Sequence, residues 1–176
     1  MIPDGTITPE EIIALLNLEP HRKEGGFFSE TYRSDEQVAQ GALPTRYGGP
    51  RALATAIHFL LTPDSYSAMH RLASDEVFHF YRGDPVDMLQ LYADGSGCVI
   101  TLGPAFEKGM HPQLLVPKGV WQGARLQPGG RFALLGATVS PGFEYADYEH
   151  GRSDELLTQY PQFREMIVEL TSPQQG

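Results

Sequence analysis

From Arg51 onward the chain is broken at short intervals by turn signals, and this spacing restricts its fold more than any other feature. The signals are Pro63-Asp64, Gly83-Asp84-Pro85, Asp94-Gly95, Pro117-Lys118-Gly119 and Pro128-Gly129-Gly130. Between them lie ALATAIHFLLT (52–62), VDMLQLY, CVITLG, QLLV and FALLGATVS, rich in aliphatic and β-branched residues and shorter than ordinary helices. Asp94-Gly95 is the clearest tight-hairpin signal among them. Strands separated by turns every 8–12 residues or so predict a mainly β chain closed into a sandwich or barrel.

Helices are expected only at the two ends. Thr8 suits an N-cap, Pro9 the first helical position and Glu11 the reciprocal capping residue, which predicts a helix over about 8–17 with Ile12, Leu15 and Leu16 on its apolar stripe. Near the other end Ser153 caps a segment with Leu156 and Leu157. Pro161 opens another with Phe163, Met166, Ile167 and Leu170, giving a helical tail over about 153–170. No repeat and no linker interrupts the chain, so one domain over 1–176 is expected, with its barrel over about 27–148. Residues 34–50 carry no periodicity and read as a long loop of the lid type.

Charge and cysteine content narrow the partners. Lys and Arg number 13 against 22 Asp and Glu, a formal charge of −9 with no basic stretch, which argues against nucleic acid or an anionic membrane. Cys98 is the single cysteine, so no intramolecular disulfide or cysteine-rich metal site can form. No apolar run reaches the ~18–20 residues that span a bilayer. MIPDGTITPE lacks the basic and apolar regions of a signal peptide, so a cytoplasmic location is expected.

Chemistry concentrates in AMHRLASDEVFHFYRG, residues 68–83. In an extended strand Glu76, Phe78 and Phe80 share one face, and Val77, His79 and Tyr81 the other. His70 and Leu72 share a face, and a turn through Ser74 and Asp75 can carry it across to Glu76. That predicts an imidazole and a carboxylate in one cavity walled by Phe78, Phe80 and Phe59. Burying a carboxylate costs several kcal/mol unless it is paired, and a small barrel with nothing to recognise can be filled with Leu and Val instead. A small-molecule site is therefore expected there. Gln122, from a distant hairpin, is expected to hydrogen-bond the ligand, and Trp121 beside it to stack at the rim if the Pro-x-Gly turn twists it inward. On the strand 27–33, parity puts Phe28, Glu30 and Tyr32 on one face and Phe27, Ser29, Thr31 and Arg33 on the other. Glu30 and Arg33 are further ligand-binding candidates.

Two spacings carry a family resemblance. His70-x-Leu72, three residues, Glu76, six residues, Gly83 resembles the first motif of the cupin superfamily, usually His-x-His, three or four residues, Glu, six residues, Gly. Pro117-x-Gly119-x-x-Gln122 resembles the second, which usually ends in His. More closely, HRKEGGFFSETYRS, TAIHFLLTPDSYSAMHRLASDEVFHFYRGDP, QLLVPKGVWQGARL and ATVSPGFEYADYE, in this order, resemble an uncharacterised cupin family labelled predicted sugar epimerases. The resemblance implies a double-stranded β-helix, the jelly-roll barrel of cupins, with short terminal helices. It also implies a homodimer, which the hydrophobic excess of 52–62 independently suggests. It implies an isomerase or epimerase acting on a carbohydrate or sugar-nucleotide-like ligand, with His70 as base and Glu76 orienting it. A non-catalytic ligand-binding or sensing module and a metal-dependent cupin enzyme are the alternatives. Cupin metals take ligands from both motifs, here His70, Glu76 and Gln122 with Leu72 in the fourth position. Two good donors and an amide make a poor site for a divalent ion, so no metal cofactor is expected. The tyrosine acid of sugar-nucleotide epimerases would fall near Leu135 or Gly136, leaving Tyr32, Tyr66 or Tyr81 to substitute for it.

Overall fold

The structure, a computed structural model, describes residues 7–173; residues 1–6 and 174–176, the extremes of the expected domain and part of the segment read for a signal peptide, lie outside the described residues. The capping box forms as the spacing predicts: Glu11 N donates to Thr8 Oγ1 at 3.2 Å, Thr8 N donates to Glu11 Oε2 at 2.8 Å, and helix α1 runs Pro9–Leu16. Thirteen strands follow: β1 Glu19–Pro20, β2 Phe27–Arg33, β3 Gln37–Val38, β4 Arg51–Ala52, β5 Thr55–Leu61, β6 Ser67–Leu72, β7 Asp75–Gly83, β8 Val86–Leu91, β9 Gly97–Leu102, β10 Gln113–Val116, β11 Trp121–Leu126, β12 Ala133–Ser140 and β13 Tyr148–His150. Helices α2, Ser153–Gln159, and α3, Arg164–Leu170, close the described chain.

Two antiparallel sheets make the barrel. One has the order β1-β2-β5-β12-β7-β10 and the other β13-β6-β11-β8-β9; β3 and β4 form a separate pair. Alternation along each strand sends one set of side chains between the sheets. There Phe59, Leu61, Phe78, Met88, Leu102, Leu126 and Leu135 pack into a closed core.

Each sheet also buries part of its outer face. Beneath α1, Ile12 and Leu18 cover Leu60 and Phe132. The hydrophobic excess of 52–62 is thus absorbed within the chain: Leu60 lies under α1, while Phe59 and Leu61 point into the barrel. On the other sheet Met69, Leu89, Leu91 and Trp121 are covered by Leu156, Tyr160, Met166, Ile167 and Leu170. Gly123 permits the close approach of α3, since a Cβ there would lie 2.7 Å from Met69 Sδ and 3.0 Å from Leu170 Cδ1.

The long segment 34–50 is fastened rather than lid-like. Tyr47 is buried, its hydroxyl 2.9 Å from Ser74 Oγ, and Arg46 Nε donates to the Ala73 carbonyl at 2.8 Å.

Candidate functional site

At one end of the barrel the interior turns polar. Strand β6 points His70 and Leu72 inward, β11 beside it places Gln122 next to His70, and β7 brings Glu76 in from the opposite sheet. All three polar side chains are buried. Gln122 Nε2 donates to Glu76 Oε2 at 2.6 Å, while Gln122 Oε1 has no partner. Burial, with the nearby Glu24 charge adding to it and the Gln122 hydrogen bond opposing it, pushes the Glu76 carboxyl up to about 8.

His70 is oriented differently from the expectation. Its Nδ1 lies 2.7 Å from the Ala68 carbonyl, which can only accept, so Nδ1 carries a proton and Nε2 is the nitrogen left for proton exchange. The carboxylate facing Nε2, at 3.9 Å, belongs to Glu24 and not to Glu76, which is engaged by Gln122. The Tyr148 ring stacks on the imidazole, centroids 5.0 Å apart.

A glycine turn supplies Glu24. His21 N donates to the Gly26 carbonyl and Gly25 N to the His21 carbonyl, with Gly25 and Gly26 at φ 95° and 68°. A Cβ on Gly26 would lie 2.8 Å from the Leu60 carbonyl oxygen. The turn is fixed to β6, because Ala68 N donates to the Glu24 carbonyl at 2.8 Å and Ser67 Oγ to Glu24 Oε1 at 2.5 Å. Glu24 N donates to His21 Nδ1 at 2.9 Å, so the proton of neutral His21 sits on Nε2, 3.9 Å from Glu24 Oε2. Burial lowers the His21 pKa and favours that neutral form.

Above these groups a cavity of about 140 Å³ opens to solvent. Phe28, Ile57, Leu72 and Val139 form apolar walls, and Glu30, Arg33, Phe143, Glu144 and Tyr145 line it further. Simple alternation separates Glu30 from Arg33, but both line the cavity. The reason is a register shift in β2: Glu30 pairs with Ile57, Tyr32 with Ala56 and Arg33 with Thr55, so the irregularity at Thr31 returns Arg33 to the side of Glu30. Tyr32 turns outward and is exposed. The Arg33 guanidinium is heavily engaged: Nε and Nη2 donate to Glu30, Nη1 to Glu144, each at 2.9 Å, and Nη2 also to the Phe143 carbonyl.

Four aromatic residues expected at the ligand lie elsewhere. Phe59 and Phe78 are buried in the closed core, with Phe80 packed against it, where apolar side chains of both sheets fill the space between them. Trp121 follows strict alternation to the outside of the barrel, where it lies under the terminal helices with the Arg71 guanidinium 4.4 Å from its ring centre. Of the candidate phenols, Tyr81 sits edge-on to His58 on the outer sheet face and Tyr66 donates to the Ser172 carbonyl. Tyr145 is the phenol that lines the cavity, its pKa raised by burial and by Glu24.

Residues 10–151 match the family described as Cupin superfamily (DUF985). The chain belongs to the cupin superfamily. Among cupin relatives, the uncharacterized protein YML079W of Saccharomyces cerevisiae is 27% identical over 164 residues, 89% of this chain and 81% of the yeast protein. A hypothetical protein from Leishmania major has 30% identity and a TM-score of 0.84, covering 95% of this chain and 100% of its own. A Shewanella oneidensis protein has 34% identity and a TM-score of 0.82, covering 96% and 99%. With this fold, the two sheets are the walls of a double-stranded β-helix.

The metal centre of many cupins does not fit the residues present. Leu72 offers no donor, Gln122 offers only a neutral amide oxygen, and His21 cannot ligate through Nε2 without giving up the Glu24 hydrogen bond to Nδ1. Among the described residues no group of three or more His, Cys, Asp or Glu has metal-binding geometry.

His21, Glu24, Phe143, Glu144 and Tyr145 escaped the reading from sequence. They come from irregular segments flanking β2 and β12, where neither two-residue nor helical periodicity assigns a face. The glycine pair after Glu24 was the available signal, since it forces a tight reversal at that point.

Proposed function

We propose that this cupin binds a small carbohydrate-like molecule in the cavity beside His70 and catalyses its isomerisation or epimerisation. One observation carries the reading: the imidazole has Nδ1 held by the Ala68 carbonyl and Nε2 left for proton exchange beside a solvent-connected cavity. An imidazole so fixed suits proton removal next to a carbonyl near neutral pH. His70 Nε2 takes the proton from the carbon next to the carbonyl, the electron pair moves into the enolate, and a proton returns either to that carbon or, once the hydroxyl proton on that carbon has passed to the enolate oxygen, to its neighbour. Tyr145 supplies the returning proton. Its phenol lines the same cavity, and burial and Glu24 keep it protonated. Glu24 polarises His70, and Glu76 with Gln122 closes the polar end of the barrel. No step needs a metal.

The test is exchange with solvent. Reducing sugars and keto sugars are incubated with the protein in D2O and followed by NMR. Deuterium is expected at the carbon next to the carbonyl with the natural protein and is lost with His70→Gln. Exchange that survives His70→Gln, or its absence across the panel, overturns the catalytic reading. In the second case, thermal stabilisation by the same sugars would favour a binding module, which the burial of Gln122 Oε1 without a partner also suits.

A further inference from the structure

The cavity carries an excess of negative charge. Glu24, Glu30 and Glu144 line it as carboxylates, against the single Arg33 guanidinium. That guanidinium has its Nε, Nη1 and Nη2 already committed to Glu30, Glu144 and the Phe143 carbonyl. At the polar end, Gln122 Oε1 is a buried acceptor without a donor, and His70 presents Nε2. A ligand phosphate or carboxylate would meet three carboxylates, two of them already holding the Arg33 guanidinium. Aromatic rings add to the same preference. Phe28, Phe143 and Tyr145 line the cavity, and the chain already seats an ammonium on one of them, Lys23 Nζ lying 4.9 Å from the centre of the Tyr145 ring. The volume, about 140 Å³, is well below the several hundred Å³ typical of drug-sized ligands and suits a molecule of monosaccharide size.

From these observations we infer that the ligand is a small amine-bearing molecule, positively charged at neutral pH and of monosaccharide size, and that phosphorylated and nucleotide-linked sugars are excluded. The inference rests on the cavity being the ligand site, as proposed above, and narrows what that site takes. A protonated amine brings up to three N–H donors to a site that offers Gln122 Oε1 and His70 Nε2 as acceptors, and its charge offsets the excess of carboxylates. Glu30 and Glu144 act here as specificity residues: they repel anions and also occupy the Arg33 guanidinium.

Three probes separate the possibilities: glucose, glucosamine and glucose 6-phosphate, each titrated by calorimetry and thermal shift. Glucosamine is expected to bind at least tenfold more tightly than glucose, with no binding by the phosphate. The double variant Glu30→Gln, Glu144→Gln, whose altered side chains are partly exposed and leave the core intact, frees Arg33 and removes two carboxylates. It is expected to lose the glucosamine preference and to gain affinity for glucose 6-phosphate. Equal or tighter binding of glucose by the natural protein overturns the charge inference and leaves the sugar-site reading standing. Tight binding of glucose 6-phosphate by the natural protein overturns it as well. If no probe binds at millimolar concentration and His70→Gln leaves every titration unchanged, the inference and the site reading fall together.

Discussion

Glu76 is the residue where burial and chemistry conflict most sharply. Its carboxyl is enclosed, with Gln122 Nε2 donating to one oxygen, and its pKa is about 8 in the folded chain against 4.5 for an exposed glutamate. The unfolded chain therefore gives up this proton first as pH rises. The favourable contribution of neutral Glu76 is complete below about pH 4.5 and is lost progressively as pH climbs to about 8. Each pKa unit is worth about 1.4 kcal/mol, so the natural protein is expected to lose a few kcal/mol across that window through this one group. Glu76→Gln keeps the shape and removes the titration. Thermal melts of the two proteins from about pH 5 to pH 9 should show the variant gaining relative stability as pH rises; parallel curves would mean that Glu76 is ionised in the fold throughout.

Among elements, the strands were more legible than the segments that complete the site. The two-residue period assigned His70, Glu76 and Trp121 to their faces, and Thr8, Pro9 and Glu11 marked the start of α1, because each of these signals is local. Arg33 was misplaced because a β2 irregularity inverts parity within the strand, and nothing in FFSETYR marks it. Glu24 and Tyr145 depend on turns whose direction is set by distant contacts. In the glycine turn, Gly26→Ala places a Cβ 2.8 Å from the Leu60 carbonyl oxygen at φ 68°, and a cost of about 1–2 kcal/mol is expected together with displacement of Glu24 from His70. The segment bearing Tyr145 is held by Arg51, which donates to both Asp147 oxygens at 2.6 Å in a buried pair and to the Gly49 and Pro50 carbonyls. Arg51→Ala leaves Asp147 buried and unpaired, so a loss of about 3–5 kcal/mol is expected in denaturant unfolding. It should also weaken any ligand that contacts Tyr145. Unchanged stability would show that water replaces the guanidinium.

Taken as a molecule, the barrel separates its ligand end from its outer supports. The cavity is built from inward-facing residues of β2, β5, β6, β7 and β12 and the segments beside them, whereas α2 and α3 pack on the opposite face of the five-stranded sheet. That cap is held mainly by apolar burial, with Ile167 and Leu170 both fully enclosed against Met69 and Trp121. Ile167→Ala removes methyl groups from a closed cluster, which costs about 2–5 kcal/mol. Because the strands keep their own ladders and the core between the sheets, the cost should fall first on docking of the cap, producing local opening before global unfolding. Trp121 is the single tryptophan of the chain and lies under the cap, so its emission reports docking directly. In Ile167→Ala the emission should shift to longer wavelength at a lower temperature than the loss of the far-ultraviolet strand signal. The natural protein should show the two transitions closer together. Coincident transitions in the variant would make cap and barrel one cooperative unit.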